Sequence, residues 1–157
     1  MSTSPAAARF PELPPERRER WLRFPRLPGL DRPLLPAHLG LVLEEVRLDY
    51  ARMRLPYRPE LDQPLGVVHG GAIAALIDTV VVPAIGSAYA GPAGLLTLDM
   101  QIQYVGALRE EDAIAEGWVE KRGRSICFCR AEVRAASGDL VALGMLTYKV
   151  RPPTDGA

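Results

Sequence analysis

The sequence predicts an α+β fold in which a curved antiparallel sheet of about five strands wraps around one long central helix. The chain of 157 residues is long enough for a single domain with its own core. One long helical stretch, residues 70–87, carries no charge around its circumference apart from Asp78 and must therefore be buried on all sides. Strand-like segments precede and follow it, and no second long helix is available to cover it.

The start of the chain differs in composition, because residues 1–36 hold eight of the fifteen prolines and seven arginines. We predict one short helix there, over 15–23, with Pro15 in its first turn. This arm is a candidate lid, partner contact or loosely ordered tail, and packing of Trp21 and Leu22 on the body is the favoured interpretation. The predicted divisions are an arm at 1–36, a folded domain at 37–151 and a tail at 152–157.

The first strand is predicted over 42–55. Its apolar positions alternate as far as Tyr50 and then shift to Met53 and Leu55, which indicates a bulge in one long, bent edge strand. The prolines between 57 and 68 predict a loop before the helix.

Four strands follow the helix with no other helix between them, which indicates an antiparallel meander. The alternation is clearest from Thr97 to Tyr104. Turns are expected at 122–124 and 137–139. The four predicted strands are 97–104, 113–121, 125–134 and 140–150.

Charge and composition narrow the function. With 19 basic and 19 acidic residues, the chain has no net field that would attract nucleic acid or an anionic membrane. The N-terminus lacks the apolar core of a signal peptide, and prolines and glycines interrupt the apolar run at 79–98. We therefore expect a soluble cytoplasmic protein without nucleic-acid or membrane partners. Cys127 and Cys129 are expected to be packed, reduced thiols, not a disulfide or a metal site.

Asp78 is the one charged residue in the predicted helix. An ionised carboxylate there is costly unless it is paired or faces a wet pocket, and it lies too far inside the helix to cap it. His69 is nine residues away, which on a straight helix is about 13 Å and the opposite face. A dyad within one chain is thus excluded, whereas two antiparallel helices in a dimer would bring the helix start of one copy to Asp78 of the other.

That arrangement suits acyl transfer to water. The exposed N–H groups of Gly70 and Gly71, at the positive end of the helix dipole, can stabilise a carbonyl oxygen as charge develops on it. A facing carboxylate can act as general base or as nucleophile. The sequence shows no competing serine or cysteine elbow, phosphate-binding loop or dinucleotide fingerprint.

The His-Gly-Gly at 69–71, followed by Asp78 nine positions after the histidine, resembles the hallmark of the PaaI-like group of hotdog-fold acyl-CoA thioesterases. The similarity extends over about 39–150 and includes the strand order and the stretch 97–100. The resemblance implies hydrolysis of an acyl-CoA to a free carboxylic acid and coenzyme A, with no metal or redox cofactor. It also implies a homodimer or homotetramer.

Roles follow from the resemblance by position. Gly70 would supply the main oxyanion N–H, with Gly71 binding substrate beside it, and Asp78 of the other protomer would activate water or attack the thioester. His69 would orient the helix start, or be a purely structural histidine. Thr97 would position the water, or be ordinary strand composition.

Three further residues complete the predicted site. Arg124 and Ser125 match a turn that meets the coenzyme A phosphates, although a solvated hairpin arginine is the alternative. Gln63 replaces the usual asparagine, which keeps the amide but lengthens its reach by one methylene. Pro83 should remove one helical hydrogen bond and kink the helix.

Two other functions remain open. A catalytically silent acyl-CoA sensor on the same fold would bind without turnover. A hydratase or dehydratase is disfavoured, because it needs a histidine and a carboxylate in mutual reach and the chain has only His38 and His69.

Overall fold

The computed structural model describes residues 6–25 and 31–153. The helices are α1 (Pro15–Leu22), α2 (Leu35–His38) and α3 (Gly70–Gly86). The strands are β1 (Val42–Arg47), β2 (Tyr50–Leu55), β3 (Asp62–Gln63), β4 (Val67–Val68), β5 (Gly94–Tyr104), β6 (Ala113–Arg122), β7 (Ile126–Ala135) and β8 (Leu140–Arg151). Most of the predicted tail, from residue 154 onward, and residues 1–5 and 26–30 of the predicted arm lie outside the described residues.

Helix α3 forms the centre of the fold, as the sequence predicts, and its large apolar side chains are almost fully buried. It packs against the sheet mainly at β2, β6 and β7. Gly117 and Gly144 allow this close approach, since a Cβ at either position would lie 2.7 Å from a side-chain methyl of α3. In the described part of the chain, no helix combines the length and apolar character that crossing a membrane requires.

The sheet has six strands, all paired antiparallel, in the order β1-β2-β6-β7-β8-β5. The α+β class with an antiparallel sheet around a central helix is therefore confirmed, with six strands in place of about five. Cys127 and Cys129 lie on its helix-facing side as buried free thiols, as expected. Burial raises the pKa of the Cys129 thiol to about 12, so it stays protonated.

The prediction of one long strand over 42–55 is wrong. Two strands, β1 and β2, form a hairpin there, and the turn between them includes Asp49 in the left-handed region at φ 64°. Aspartate tolerates this conformation, so the turn forms without the glycine that usually marks one. The shift in the apolar pattern therefore records a reversal of the chain, although β1 does contain a register shift, between Leu43 and Glu45.

The prediction of a simple meander after the helix is also wrong in one respect. Strands β6, β7 and β8 are consecutive neighbours, but β5 crosses over to pair with β8. This places β5 at the edge of the sheet, with more than half of the Leu96, Leu98 and Tyr104 side chains exposed (57%, 58% and 52%). One side of the molecule thus ends in a long, apolar, unpaired strand edge.

The short helix predicted over 15–23 is observed as α1, and it contacts the C-terminal end of α3. The Trp21 ring packs against Gly86, while Leu22 is 44% exposed, so the packing prediction is confirmed for the first and wrong for the second. Arg17 donates to the Ser87 carbonyl at 3.4 Å, and Arg20 donates to two carbonyls just beyond the helix. Cationic groups at this end complement the helix dipole.

Candidate active site

The start of α3 is fixed by its own histidine. His69 is the N-cap residue, and its Nδ1 accepts a hydrogen bond from the Gly71 N–H at 2.8 Å. The His69 N–H donates in turn to the Leu61 carbonyl at 2.7 Å, which ties the preceding loop to the helix. This geometry requires an unprotonated Nδ1, so the neutral imidazole carries its proton on Nε2.

The cap changes which backbone donor is free. The sequence led us to expect exposed N–H groups at both Gly70 and Gly71, but the Gly71 N–H is taken by His69. The Gly70 N–H lies in the first turn, where the helix offers no acceptor. Among the described residues, no other group accepts a hydrogen bond from it. Gly70 is therefore the donor that the helix start can offer to a ligand.

Tyr104, at the end of β5, covers the same helix start. Its hydroxyl donates to the Gly70 carbonyl at 2.8 Å, and a Cβ added at Gly70 would lie 3.3 Å from its ring. Sequence reasoning placed Tyr104 on an alternating strand face but gave it no role in the site. Its contact with Gly70 joins residues 34 positions apart, and no local pattern indicates it.

A cleft of about 580 Å³ opens beside Gly70. Gln63 lies in its wall, where its side-chain oxygen accepts from the Leu65 N–H at 3.2 Å. The polar lining comes from Gln63, His69, Gly70 and Tyr104, while the rest is mainly aliphatic: Val67, Val68, Ile73, Val105, Ala107, Leu108 and Val141. Such a cleft suits an apolar group attached to a carbonyl.

The second half of the site centres on Asp78. Its side chain is partly exposed, and Oδ1 accepts hydrogen bonds from the Thr97 hydroxyl at 2.9 Å and the Tyr148 hydroxyl at 2.5 Å. The Tyr148 hydroxyl also lies 2.8 Å from the Asp78 backbone carbonyl. Two hydroxyl donors thus supply the pairing that a carboxylate in an apolar helix needs.

The sheet register explains why these groups meet. Thr97 of β5 lies directly opposite Tyr148 of β8, and a register shift between Thr97 and Asp99 interrupts the pairing. Bulges of this kind redirect side chains, and here Thr97 contacts the helix. Of the predicted site residues, the structure brings Asp78 and Thr97 together.

Sequence reasoning missed Tyr148. It is 2% exposed, and burial together with its hydrogen bond to Asp78 raises the pKa of the phenol. The available signal was a tyrosine in phase with the apolar Leu146 and Val150, because a buried phenolic hydroxyl needs a partner. The pattern alone could not say which partner.

The two halves do not meet within one chain. Asp78 lies eight positions along the helix from Gly70, which is about 12 Å. Arg124 and Ser125 lie in the turn between β6 and β7. Arg124 is exposed, and no hydrogen bond or ion pair among the described residues links either side chain to the other predicted site residues. One chain therefore presents a free N–H at the helix start and a carboxylate that are too far apart to act on one substrate atom.

Comparison with known proteins adds family information to this geometry. The model of the thioesterase superfamily matches residues 65–142, which include the helix start, Asp78 and Thr97. The chain is 34% identical over 127 residues to a protein of Halobacterium salinarum that is named as a proposed esterase. The match covers 74% of this chain and 83% of that protein.

Solved structures show the same fold. A thioesterase from Haemophilus influenzae superposes with a TM-score of 0.70 at 23% identity, covering 77% of this chain and 85% of its own. The PaaI protein of E. coli, from the phenylacetic acid degradation operon, superposes with a TM-score of 0.69 at 17% identity, covering 75% and 83%. At these sequence identities, the similarity to the solved structures shows a shared fold, which is the arrangement of the helix and the sheet.

Proposed function

The chain belongs to the thioesterase superfamily and is a hydrolase with the hotdog fold, and from this premise we propose that it hydrolyses acyl-CoA thioesters at a site shared by two copies. The observation that carries the proposal is the division of the site along α3. A free N–H lies at the helix start, and a hydroxyl-bound carboxylate lies two turns further on.

A two-fold dimer would join these halves. Two α3 helices packed antiparallel place Gly70 of each copy opposite Asp78 of the other, which gives two equivalent sites. The exposed edge of β5 supports this assembly, because a second β5 can pair with it and cover Leu96 and Leu98. The same packing would bury the partly exposed side of α3 that carries Asp78.

In the proposed reaction, the thioester carbonyl oxygen accepts from the Gly70 N–H, and the helix dipole stabilises the negative charge that develops on it. Asp78 takes a proton from water while the water oxygen bonds to the carbonyl carbon. The carbon–sulfur bond then breaks, and the sulfur leaves as thiolate and takes up the proton. The products are a carboxylic acid and coenzyme A.

A nucleophilic route gives the same products. Asp78 would bond to the carbonyl carbon and expel the thiolate, and water would then hydrolyse the mixed anhydride. In either route His69 holds the helix start through its hydrogen bond to Gly71, and the aliphatic cleft beside Gln63 receives the acyl chain. Arg124 and Ser125, in the turn between β6 and β7, contact the coenzyme A phosphates.

Thiol release tests the proposal. We expect the wild-type protein to release coenzyme A from at least one member of a panel of short-chain, long-chain and aromatic acyl-CoAs. Asp78→Asn should lower kcat by about 100-fold or more, since the amide can neither accept the proton nor attack.

Asp139→Asn is the matched control, because Asp139 is an exposed aspartate in the turn between β7 and β8 and not on the β5 edge proposed to pair in the dimer. It should keep wild-type kcat. Absence of thiol release from the whole panel, or an Asp78→Asn protein as active as wild type, would contradict the proposal. Tight binding of acyl-CoA without turnover would instead identify a sensor.

A further inference from the structure

The Asp78 carboxylate is held by one oxygen only. Tyr148 and Thr97 both donate to Oδ1, at 2.5 Å and 2.9 Å. Among the hydrogen bonds of the described residues, none reaches Oδ2. The two oxygens of this carboxylate therefore differ in their surroundings.

We propose that Tyr148, assisted by Thr97, is a positioning residue that fixes Asp78 through Oδ1 and presents Oδ2 as the reacting oxygen. This inference rests on the thioesterase function proposed above and assigns a role to a residue outside the matched family region, which ends at residue 142.

Tyr148 is suited to this role by its rigidity. It lies in β8, which is paired on one side with β7 and on the other with β5, and its side chain is buried. Its hydroxyl contacts both the carboxylate and the backbone carbonyl of Asp78, so it relates the side chain to the helix that carries it. Holding a reacting group in one orientation is a large part of enzymatic rate enhancement.

The protonation state supports a donor role. Burial and the contact with Asp78 raise the pKa of the Tyr148 phenol, so the proton stays on the tyrosine and is shared with the carboxylate oxygen. A contact of 2.5 Å is at the short end for a hydroxyl bound to an ionised oxygen. Thr97 is the second donor to the same oxygen, and it lies opposite Tyr148 on the neighbouring edge strand β5.

Tyr50 provides a matched control. It is also fully buried in the sheet, and its hydroxyl also donates to a carboxylate, Glu116, at 2.6 Å. That pair contacts none of the candidate site residues. Tyr50→Phe therefore removes the same kind of hydrogen bond from the fold and should leave kcat unchanged.

The test is a kinetic cycle with Tyr148→Phe and Asp78→Asn. We expect Tyr148→Phe to lower kcat by about 10- to 100-fold with KM changed by less than about twofold, because the substrate is still bound while the carboxylate is misplaced. In the Asp78→Asn protein the same substitution should have almost no further effect on kcat, since Tyr148 acts through Asp78. A Tyr148→Phe kcat within about twofold of wild type, or an equal loss in both backgrounds, would overturn the inference.

A crystal structure of the Tyr148→Phe protein gives a readout that does not require turnover. We expect the Asp78 side chain to leave its single position or to divide between two rotamers. An unchanged Asp78 would overturn the inference even if the protein proved inactive, whereas failure of the wild type to release thiol would count against the proposed function alone.

If Tyr148→Phe does not fold, Thr97→Val tests the same arrangement from the other donor, with closely similar side-chain volume. It should lower kcat to a smaller extent and again have no effect in the Asp78→Asn protein. An unchanged kcat and an unchanged Asp78 rotamer in the Thr97→Val protein would refute the proposal that Tyr148 and Thr97 together hold Oδ1 of Asp78.

Discussion

At the scale of single residues, the proposed activation of the thioester carbonyl depends on the N–H of Gly70. Gly70→Pro removes this donor while keeping a residue that is favoured in the first turn of a helix. The preceding His69 has φ −60° and ψ 133°, which suits a residue before proline. We expect kcat to fall roughly 100-fold or more, the usual cost of losing one oxyanion donor.

Gly70→Ala is the control for this substitution. It adds the same Cβ, which must fit 3.3 Å from the Tyr104 ring, but it keeps the N–H. We expect Gly70→Ala to retain much more activity than Gly70→Pro when both are measured by thiol release. Equal losses would show that the Tyr104 contact, and not the N–H, limits the rate.

Sequence patterns reached some of these residues and not others, for a physical reason. Asp78 could be predicted because a charge in an apolar helix violates a local rule. The capping of the helix by the His69 imidazole could not be predicted, since histidine is not among the residues that usually accept a hydrogen bond at an N-cap. Tyr148 is 70 positions from Asp78, and only the tertiary fold brings them together.

At the scale of secondary-structure elements, the contact between α1 and α3 determines where the arm lies. A Cβ at Gly86 would overlap the Trp21 ring, so Gly86→Ala should displace α1 or strain it. We expect a loss of about 1–3 kcal/mol in the free energy of unfolding, as for other overpacked sites. Denaturant titration measures it.

The same substitution in a Trp21→Ala protein should cost much less, because the ring that it would meet is gone. Such non-additivity is the signature of direct contact. An equal cost in both backgrounds would contradict the packing of α1 on the end of α3.

The strands show which elements a sequence can specify. The alternation from Thr97 to Tyr104 and the turns on either side of β7 gave the later strands to within a few residues. The hairpin of β1 and β2 was missed, since its turn uses Asp49 at positive φ in place of glycine. The pairing of β5 with β8 was missed because strand order depends on contacts between segments that are distant in sequence, which no local pattern records.

At the scale of the whole molecule, the edge position of β5 and the divided site lead to one expectation, which is that activity belongs to the dimer. A chain carrying Gly70→Pro lacks the N–H proposed to donate to the substrate carbonyl, and a chain carrying Asp78→Asn lacks the carboxylate. Each variant alone should have a kcat about 100-fold or more below that of the wild type. In a mixed dimer, one of the two sites combines the intact Gly70 of one chain with the intact Asp78 of the other.

Co-expression of the two variants with different affinity tags, followed by purification on both, isolates this mixed dimer. We expect about half the wild-type kcat per dimer, since one of two equivalent sites is restored. An inactive mixed dimer would mean that Gly70 and Asp78 must come from the same chain. An active wild-type protein that sediments as a monomer would lead to the same conclusion, because the roughly 12 Å of helix between the two groups would then have to be bridged within one copy.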